Sequence, residues 1–547
     1  MSFNFATVWE ALAASIPDAD AVISGDLVRS WGEFEERAAG VAGGLATAGV
    51  STRENVGLCL YNGPEYSEAQ FGVFKQRATP FNINYRYGAA ELADLLTDSD
   101  AVAVFYDATL ADRFEEIHAS LPNVKLFVQV DQGEGPAPAP VPTWAIDYEA
   151  LAGGSARADV ISRSPDDIWM LFTGGTTGKP KGVMWPHQSM VENMKPNYAG
   201  LKHSVPRSVE EAVEAALEIR SRGHTPRQLP AAPLMHGTGG IGALSTFTMG
   251  GAVLTLPGHS FSGDALWETV QRHRATLLTI VGDAFSRPML ESLDAAAERG
   301  TPWDLSSVFL ILSSGVMWSA PVKEALLEHN PRMRLLDSLG SSEGIGFASK
   351  LESKDETAST ARFVLGEFTK VFTEDGREIV PGSGERGRLA LGGALPLGYY
   401  KDPVKSAETW PEIGGQRYSI PGDWATVEDD GSIVLLGRGS VCINSGGEKI
   451  YPEEVEEAVK LHPGVVDCNV VGVPDERWGQ AITAVVELSD ASVSDADIVA
   501  TVKNDLAAFK APKHIVRVEK LLRGPNGKSD YKWASKTALE AVESASG

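Results

Sequence analysis

The sequence predicts an α/β protein with a large N-terminal domain of helix-covered sheets, which includes a small β-subdomain, and a small α+β C-terminal domain. Up to about residue 340, short β-branched runs alternate with helical patterns, which is typical of sheets covered by helices. Past Gly384 the strands become shorter and turns more frequent. From about Arg438 a compact unit of roughly a hundred residues follows, an ordinary size for a domain. At 547 residues and 43% hydrophobic content, the chain can bury sizeable cores.

The elements of the N-terminal domain follow from short apolar runs and from helical periodicity. Pro64–Gln76 and Pro321–His329 are predicted helices. Val209–Arg222, rich in Ala and Glu, is expected to be a charged helix lying on solvent, and Asp131–Thr143, rich in Pro and Gly, a surface connector. The predicted strands are Asn55–Leu60, Ala101–Tyr106, Val124–Val130, Ile168–Phe172, Leu277–Val281, Val308–Leu312 and Met333–Leu336.

The C-terminal domain has a regular succession of patterns that predicts one sheet with helices packed on it. In chain order these are a helix at Glu453–Leu461, strands at Val465–Val473 and Ala481–Leu488, a helix at Ser494–Phe509 and a strand at His514–Val518.

Net charge and cysteine content limit the classes to which the protein can belong. A formal net charge of -25 argues against a nucleic-acid or anionic-membrane surface, so an anionic ligand must be met by local cations in a pocket. No apolar run approaches the ~18 residues of a membrane span. Arg29 is the first basic residue, and the cysteines Cys59, Cys442 and Cys468 have neither metal nor disulfide spacing. We expect a cytoplasmic protein without a transmembrane segment, and the oligomeric state stays open, a homodimer included.

The loop Thr173–Lys181, T-G-G-T-T-G-K-P-K, follows an apolar strand and is suited to binding phosphate. Its glycines let backbone N–H groups approach an anion, its hydroxyls add donors, and Lys179 and Lys181 neutralise charge. A Walker A loop has one more residue between its two glycines, and it has Ser or Thr at the position of Pro180. A P-loop NTPase is therefore disfavoured. The alternative is a solvated Gly/Thr loop without a ligand.

Further stretches carry residues suited to chemistry. His236 stands at the head of the glycine-rich run Gly237–Gly242, and Asp423 follows a Pro-Gly turn. The other stretches are Ser313–Val316 and Asp337–Glu343, each after a predicted strand, Gly437–Arg438 with Asn444–Tyr451, and the near-terminal Arg523–Lys528.

Taken together in this order, these motifs resemble those of the adenylate-forming superfamily, which includes acyl-CoA synthetases, luciferases and peptide-synthetase adenylation domains. The resemblance covers nearly the whole chain. T-G-G-T-T-G-K-P-K-G-V-M-W, D-S-L-G-S-S-E, I-N-S-G-G-E-K-I-Y-P-E-E-V-E and G-K-S-D-Y look most like actinobacterial acyl-CoA synthetases acting on fatty acids and steroid side-chain acids.

The resemblance implies a two-step ligase that uses ATP, Mg²⁺ and CoA. A carboxylate is a poor acyl donor, so attack on the α-phosphate of ATP first forms an acyl-adenylate, from which CoA then displaces AMP. It also implies an adenylation domain at 1–438 that holds ATP and acid. A mobile C-terminal domain at 439–547 would carry the catalytic lysine and the face that lines the CoA tunnel.

The resemblance assigns catalytic roles to a few of these residues. Lys528 would bridge the substrate carboxylate and the α-phosphate, Glu343 would hold magnesium, and Thr173 would belong to the loop around the β- and γ-phosphates. The implied ATP- or AMP-binding residues are Thr173, Gly174, Gly175, Thr176, Thr177, Gly178, Lys179, Lys181, Ser314, Gly315, Val316, Asp337, Ser338, Leu339, Gly340, Ser341, Ser342, Asp423, Arg438 and Lys528.

The acyl and CoA sites are also implied by the resemblance. His236 would be an aromatic gate between the two, although a lone histidine is more often a satisfied core residue. Several of the acyl-pocket residues can likewise be simply core. The implied acyl pocket is lined by His236, Gly237, Gly239, Gly240, Leu244, Phe285 and Met317, and the implied CoA segment is Ser445, Gly446, Gly447, Glu448 and Lys449.

Two positions depart from the family pattern, and several functions stay open. Leu339 stands where many relatives have Tyr, so ATP affinity is expected to be lower, and Ser440 occupies a hinge position that is commonly Asp or Lys. A fatty acid is the first choice of substrate and a steroid or terpenoid side-chain acid the second. The alternatives are an enzyme that loads a carrier-protein thiol and a nucleotide-binding protein without catalysis.

Overall fold

A computed structural model of the chain describes residues 3–133, 140–158, 161–173, 180–316, 318–354, 362–438, 443–445, 448–475, 479–490, 492–506, 508–524 and 527–546. It confirms the predicted α/β class, with a large N-terminal part and a smaller C-terminal unit. Among the described residues, no helix combines the length and the apolar character of a membrane span.

Helices of the described residues follow one another in this order: α1 (Phe5–Ser15), α2 (Trp31–Thr47), α3 (Pro64–Lys75), α4 (Ala89–Asp98), α5 (Ala111–Ile117), α6 (Tyr148–Ala152), α7 (His187–Glu192), α8 (Lys195–Gly200), α9 (Val209–Ser221), α10 (Gly237–Thr248), α11 (Gly263–His273), α12 (Asp283–Glu298), α13 (Ala320–His329), α14 (Pro403–Thr409), α15 (Pro452–Lys460), α16 (Asp495–Asp505) and α17 (Tyr531–Ser546).

Strands of the same residues are β1 (Asp20–Ser24), β2 (Leu27–Ser30), β3 (Asn55–Cys59), β4 (Thr79–Asn82), β5 (Ala101–Asp107), β6 (Leu126–Val130), β7 (Ile146–Asp147), β8 (Ile168–Thr173), β9 (Lys181–Pro186), β10 (Arg227–Pro230), β11 (Ala252–Thr255), β12 (Leu277–Ile280), β13 (Leu310–Ser314), β14 (Arg334–Ser341), β15 (Gly344–Glu352), β16 (Arg362–Leu365), β17 (Thr369–Phe372), β18 (Arg386–Leu391), β19 (Glu412–Ile413), β20 (Gln416–Arg417), β21 (Asp423–Val427), β22 (Ile433–Arg438), β23 (Ile443–Ser445), β24 (Glu448–Ile450), β25 (Val465–Asp475), β26 (Gly479–Leu488) and β27 (His514–Val518).

Two large sheets build the N-terminal part. The first has the order β7-β6-β5-β3-β4-β8-β9 within the described residues and is parallel except for the β8/β9 hairpin. The second runs β2-β1-β11-β10-β12-β13-β14, parallel after its β1/β2 hairpin, and continues into the antiparallel strands β15-β16-β22-β21-β18-β17. These last strands correspond to the predicted small β-subdomain, but they begin at Gly344, before the change of pattern expected past Gly384.

A helical layer rich in aromatic residues packs between the two sheets. Trp9 of α1, Phe34 of α2, Phe71 of α3 and Phe247 of α10 are almost completely buried in one core cluster, and the Phe34 and Phe247 rings stack with centroids 4.9 Å apart. Each such side chain contributes about 2–3 kcal/mol through its burial. This layer fixes α10, whose other face borders the cavity described below.

The C-terminal unit is a sheet with helices on both faces. Its strand order is β24-β23-β26-β25, and β27 pairs with β26. Alternate residues of β25 point to opposite faces: Cys468 and Val470 pack with α15 and α16, whereas Val471 and Val473 pack with α17. This is the compact α+β arrangement that the sequence predicts.

Most predicted elements are present within a few residues of their expected bounds. The helix at Ser494–Phe509 is shorter than expected, since α16 ends at Asp505. The expectation that Val209–Arg222 lies on solvent is wrong for one face of α9. Ala212, Ala215, Ala216 and Ile219 are buried, and the helix contacts α1. Residues 134–139 of the predicted connector lie outside the described residues.

Candidate active site

A cavity of about 2040 Å³ lies where the N-terminal part meets the C-terminal unit. It is bordered by one face of the second sheet, by α10, by the β8/β9 hairpin and by the β14/β15 turn. The parallel strands β12, β13 and β14 end at this cavity, which is the usual place for a ligand in an α/β sheet. The predicted site residues that line it are Thr173, Lys181, His236, Gly237, Ser314, Gly315, Ser338, Gly340, Ser341, Ser342, Glu343 and Lys528.

The base of the predicted phosphate loop is a β-hairpin. Thr173 and Lys181 are opposite each other in the β8/β9 ladder. Lys181 forms an ion pair with Asp402, and its Nζ lies 5.6 Å from the centroid of the Tyr399 ring. The residues between them, Gly174, Gly175, Thr176, Thr177, Gly178 and Lys179, lie outside the described residues, so their phosphate contacts stay predictions.

Strands β13 and β14 bring Ser314 and Ser338 side by side at the cavity wall. Gly315 follows with φ of +101°, a left-handed conformation that favours glycine. Asp337, between the wall residues Leu336 and Ser338, is 5% exposed and accepts from Nζ of Lys323 at 3.0 Å. Burial raises the pKa of Asp337 to about 6, although Lys323 opposes the rise. The structure therefore pairs Asp337 with Lys323, and binding of ATP or AMP by Asp337 stays a prediction.

Glu343 is held at the tip of the β14/β15 turn by hydrogen bonds to both its backbone and its side chain. Its backbone carbonyl accepts from Trp410 Nε1 at 3.1 Å and from Ser419 Oγ at 2.7 Å. The Tyr399 hydroxyl donates to Oε1 of its carboxylate at 2.9 Å. The other carboxylate oxygen has acceptor capacity beyond this bond, and Mg²⁺ prefers oxygen ligands that include substrate phosphates. Glu343 is therefore suited to a magnesium ion bound together with ATP.

Lys528 is carried by a short hairpin loop of the C-terminal unit and reaches the cavity. The Arg523 guanidinium supports this loop by donating to the carbonyl of Gly527 at 2.9 Å and to Ser529 Oγ at 3.2 Å. It also donates to the Asp467 carboxylate, with Nη2 2.6 Å from Oδ1. Although burial opposes it, Arg523 holds the pKa of the Asp467 carboxyl below its usual range. The loop that presents Lys528 is thus anchored on a half-buried ion pair.

The same loop contacts the N-terminal part. A Cβ atom on Gly527 would lie 3.3 Å from Val281 and Ala284 at the start of α12, so the two chain segments are in close contact. His236 occupies the N-cap position of α10 on the cavity wall without a side-chain capping bond, and its Nε2 has no hydrogen-bond partner among the described residues. Burial lowers the pKa of His236 to about 3, and the charge of Lys528 acts in the same direction. A neutral imidazole therefore borders the ammonium group.

Helix α10 divides its residues between the cavity and the core. Gly237, Thr238, Ile241, Gly242 and Ser245 line the cavity, at the three- and four-residue spacing of one helical face. Of the predicted acyl-pocket residues, the structure does not bring Gly239, Gly240, Leu244 and Phe285 to the cavity lining. A Cβ on either glycine would lie within 3.0 Å of backbone oxygens of residues 232–234, and Leu244 and Phe285 belong to the packed cores.

The remaining predicted residues are placed as follows. Asp423 opens β21 opposite Arg438 of β22, and the neighbouring Pro421 lines the cavity. Leu339 packs against the core of the N-terminal part, and Val316 against a second cluster. Ser445 ends β23 and is 7% exposed. Met317, Ser440, Gly446 and Gly447 lie outside the described residues, as do the side chains of Arg438, Glu448 and Lys449, so their roles stay predictions.

The structure brings to the cavity several residues that the sequence motifs did not indicate. Tyr399 and Asp402 contact Glu343 and Lys181, and both line the cavity. The run G-Y-Y-K-D-P at residues 398–403, two aromatic residues followed by a cation and an acid, was the available signal. Gln228 and Thr279 also line the cavity but stand in short strands without any motif. Arg523 was inside a predicted motif, but its partner Asp467 is distant in sequence.

Comparison with protein families decides the classification of the chain. The AMP-binding enzyme profile matches residues 9–400, and the profile of the AMP-binding enzyme C-terminal domain matches residues 454–528. The chain belongs to the AMP-binding enzyme family. The resemblance inferred from the motifs is thereby confirmed, and the last residue of the second match is Lys528.

Relatives of this AMP-binding enzyme match it from end to end. A protein of Mycolicibacterium smegmatis named medium/long-chain-fatty-acid–CoA/3-oxocholest-4-en-26-oate–CoA ligase is 39% identical over 99% of this chain and 97% of its own length. A 3-oxocholest-4-en-26-oate–CoA ligase of Rhodococcus rhodochrous is 39% identical over 98% of this chain and 96% of its own. The medium-chain acyl-CoA ligase Mig of Mycobacterium avium is 38% identical over 98% of both chains.

Solved structures share the fold of this AMP-binding enzyme at low sequence identity. The anthranilate CoA ligase AuaEII, solved with anthranoyl-AMP, has a TM-score of 0.83 and 22% identity and covers 99% of this chain and 98% of its own. A benzoate CoA ligase from Burkholderia xenovorans has a TM-score of 0.79 at 22% identity, covering 97% of this chain and 100% of its own.

Proposed function

We propose that this AMP-binding enzyme is an ATP-dependent acyl-CoA synthetase, an acid–thiol ligase that forms AMP. A carboxylic acid and ATP would give an acyl-adenylate and pyrophosphate, and CoA would then displace AMP. The observation that carries the proposal is the position of Lys528. A lysine of the C-terminal unit enters the cavity that is also lined by the hairpin residues Thr173 and Lys181. End-to-end relatives named as CoA ligases support the same activity.

The first half-reaction brings two anions together, so the positive charge at the cavity is what the chain must supply. Lys528 lies beside Gly315, where the carboxylate and the α-phosphate would meet, and Lys181 lies at the base of the loop that would hold the outer phosphates. Fixed cations around a reacting phosphate lower the barrier because they need no rearrangement during the reaction. Glu343 would hold Mg²⁺, which would neutralise phosphate charge when bound.

The second half-reaction needs access for the CoA thiol to the adenylate. Lys528 fills the side of the cavity beside Gly315 in this arrangement. We propose that the C-terminal unit turns about the segment that follows Arg438, withdraws Lys528 and presents the segment 445–449 to the pantetheine arm. His236, neutral at the cavity wall, would border the path of the thiol.

The substrate that we propose is a medium- or long-chain fatty acid, and a steroid or terpenoid side-chain acid is the second candidate. The cavity volume exceeds the range of ~300–1,000 Å³ that is typical of small-ligand sites, so ATP and a large acid can share it. The relatives' names contain both acid classes. We place the enzyme in the cytoplasm, where ATP and CoA are available, and a homodimer stays a prediction.

A panel of acids tests this function directly. Purified protein is incubated with ATP, Mg²⁺, CoA and one acid from a set of graded chain length that includes a sterol side-chain acid, and the CoA thioester and pyrophosphate are measured. We expect acid-dependent pyrophosphate and a CoA thioester. Adenylate that accumulates until a carrier protein is added would indicate a carrier-loading enzyme, and no release with any acid would contradict catalysis.

A further inference from the structure

The side chain of Tyr399 contacts two charged groups of the cavity that would meet ATP. Its hydroxyl donates to Oε1 of Glu343 at 2.9 Å, and Nζ of Lys181 lies over its ring, 5.6 Å from the centroid. The first contact is a hydrogen bond to a charged acceptor, and the second is within the range of a cation–π interaction. One side chain therefore holds the candidate magnesium ligand with its hydroxyl and a cation of the phosphate loop with its ring face.

The backbone of Tyr399 is fixed to the β8/β9 hairpin, from which the predicted phosphate loop extends. Tyr399 forms an antiparallel bridge with Val183, and backbone hydrogen bonds of 2.7, 2.9 and 3.0 Å join residues 397–400 to residues 182–184. Its own N–H donates to Ser406 Oγ at 2.8 Å, and the residue is 7% exposed. Strand pairing therefore fixes the ring relative to the base of the loop.

Two buried tryptophans fasten the β14/β15 turn, which carries Glu343, to the same place. Trp410 packs edge-on against Tyr399 with ring centroids 4.7 Å apart, and its Nε1 donates to the carbonyl of Glu343 at 3.1 Å. Trp185 of β9 donates from Nε1 to the carbonyl of Ser342 at 2.9 Å. The hairpin belongs to the first sheet and the turn to the second. These contacts therefore join the two sheets at the cavity, and the hydroxyl of Tyr399 spans the junction.

The hydroxyl bond is not needed to compensate a deeply buried charge. Glu343 is only partly buried, so water can solvate its carboxylate. What the bond adds is a restriction on the rotation of the carboxylate, with Oε1 engaged by Tyr399. Hydrogen-bond partners that orient a metal ligand typically contribute about 10- to 100-fold to metal affinity.

The ring face acts on a different group. Lys181 forms an ion pair with Asp402, and the Tyr399 ring offers its ammonium a second favourable contact. A lysine side chain has many rotamers, and restricting them before binding lowers the entropy that the ligand must overcome. The ring and Asp402 together keep this cation at the base of the loop that would hold the outer phosphates.

We propose that Tyr399 is a positioning residue for ATP, in which the hydroxyl orients Glu343 for Mg²⁺ and the ring face positions Lys181 for the phosphates. The inference rests on the proposed acyl-CoA synthetase function and deepens it, because it assigns two separable contributions to one side chain. The hydroxyl acts on nucleotide binding only through the metal ion. The ring acts on it with or without the metal.

The test is equilibrium binding of ATP to the full chain, measured by titration calorimetry without acid or CoA, once with Mg²⁺ and once with EDTA. The ratio of the Kd in EDTA to the Kd with Mg²⁺ reports the gain from the metal. Tyr399→Phe should lower this ratio about tenfold or more and leave the Kd in EDTA within about twofold. Tyr399→Leu should lower the ratio as well and raise the Kd in EDTA about three- to fivefold, the size of one cation–π contact.

Glu343→Gln shows whether the hydroxyl acts through Glu343. In that variant, replacing Tyr399 by Phe should not change the ratio further, because both changes remove the same contribution. Tyr418→Phe is the matched control. Its hydroxyl, on a residue that is 4% exposed, donates to Gln416 Oε1 at 3.0 Å, and Tyr418 is not among the described residues that line the cavity. Its ratio should equal that of the unmodified protein.

The ratio also distinguishes positioning from simple packing. Each ratio is internal to one variant, so partial loss of folded protein does not alter it. A ratio near one in the unmodified protein, an unchanged ratio in Tyr399→Phe, or equal weakening of ATP binding with and without Mg²⁺ in that variant would overturn the inference alone. No binding of ATP to the unmodified protein under either condition would overturn the proposed function instead.

Discussion

Cε of Lys528 lies 3.5 Å from the point where a Cβ atom on Gly315 would stand. The two residues belong to different parts of the chain, since Gly315 follows β13 of the N-terminal part and Lys528 stands in the C-terminal unit. This short distance places the lysine at the part of the cavity wall where the acid and the nucleotide would react. The predictions below depend on it or on the groups that maintain it.

Replacing Gly315 should impair the first half-reaction. Gly315→Ala places a methyl group against Lys528 and forces a side chain into a left-handed conformation, at a cost of roughly 1 kcal/mol in the free energy of unfolding. We expect acid-dependent pyrophosphate release to fall about tenfold or more. Gly300→Ala is the matched control, because Gly300 also has a positive φ, of +74°, but open space around its Cβ position. Equal loss of activity in both variants would show that backbone strain, not the lysine, is responsible.

Lys528→Ala should separate the two half-reactions. Removing one preorganised cation should slow adenylate formation about a hundred- to a thousandfold, while thioester formation from supplied acyl-AMP should be largely spared, because the lysine is withdrawn in that step. Acid-dependent pyrophosphate release and thioester formation from synthetic acyl-AMP measure the two rates. Lys520→Ala, at an exposed lysine of the same unit, should leave both unchanged. Equal damage to both half-reactions would refute the bridging role.

Arg523 is expected to act as a positioning residue through the loop that carries Lys528. Arg523→Ala removes the donors to Gly527 and Ser529 and takes the guanidinium partner from the half-buried Asp467 carboxylate, which should cost about 1–3 kcal/mol in the stability of the C-terminal unit. Adenylate formation should fall more than thioester formation from acyl-AMP. The rates of both half-reactions and the midpoint of thermal unfolding are measured on the same preparation of the variant.

The double variant Arg523→Ala, Asp467→Ala is the control for the charge of Asp467 left without its arginine partner. Because it removes both partners, it should lose less stability than the sum of the two single variants. Adenylate formation should nevertheless remain low, since the loop contacts are still absent. Recovery of adenylate formation in the double variant would contradict the positioning role.

Two histidines, His187 in the core and His236 at the cavity wall, should make the protein less stable in mild acid. Burial lowers the pKa of His187 and of His236 to about 3, whereas an unfolded histidine has a pKa of about 6.5. Below about pH 6.5 the unfolded chain therefore binds protons that the folded chain does not. The stability that these two groups contribute is complete above about pH 6.5. It should decline by ~1.4 kcal/mol per pH unit for each histidine as the pH falls further.

Denaturant unfolding between pH 7 and pH 5 checks this prediction. In His187→Gln an amide oxygen can replace Nδ1, which accepts from the Phe5 N–H at 3.3 Å. The free energy of unfolding of this variant should depend less on pH than that of the unmodified protein, by the contribution of one histidine. The two proteins share all other titrating groups, so the difference between their slopes of unfolding free energy against pH reports on His187 alone. His224→Gln, at an exposed histidine, is the control, and an unchanged slope in His187→Gln would contradict the assignment.

Much of the fold was readable from the sequence because its signals are local. The strands from Asn55, Ala101 and Leu277 begin where they were predicted, since each is a short apolar run bounded by polar residues. Helix α9 shows the limit of such reasoning. Its charged residues indicated exposure, but its alanine face is covered by α1, which is about 200 residues away in sequence.

The candidate site was likewise only partly predictable from the sequence. Motifs placed Thr173, Lys181, Ser314, Gly315, Glu343 and Lys528 in one site, and all of them line the cavity. Gly239, Gly240 and Leu244 were predicted for the acyl pocket but are not part of the lining, because sequence proximity to His236 does not specify which face of α10 a residue occupies. Phe285 of α12, predicted for the same pocket, is packed in a core cluster instead. Gln228 and Thr279 had no motif, and only the neighbouring strands β10 and β12 bring them together.

The sequence by itself determined the family, the two-part α/β architecture and the residue types that would meet a polyphosphate, because these follow from local periodicity and from motifs that are contiguous along the chain. Only the tertiary structure decided which side chains share the cavity, that Asp337 is paired with Lys323, and that Arg523 and Asp467 support the loop of Lys528. These depend on strand register and on the packing of one helix face, which bring together residues that are far apart in sequence and that no local pattern connects.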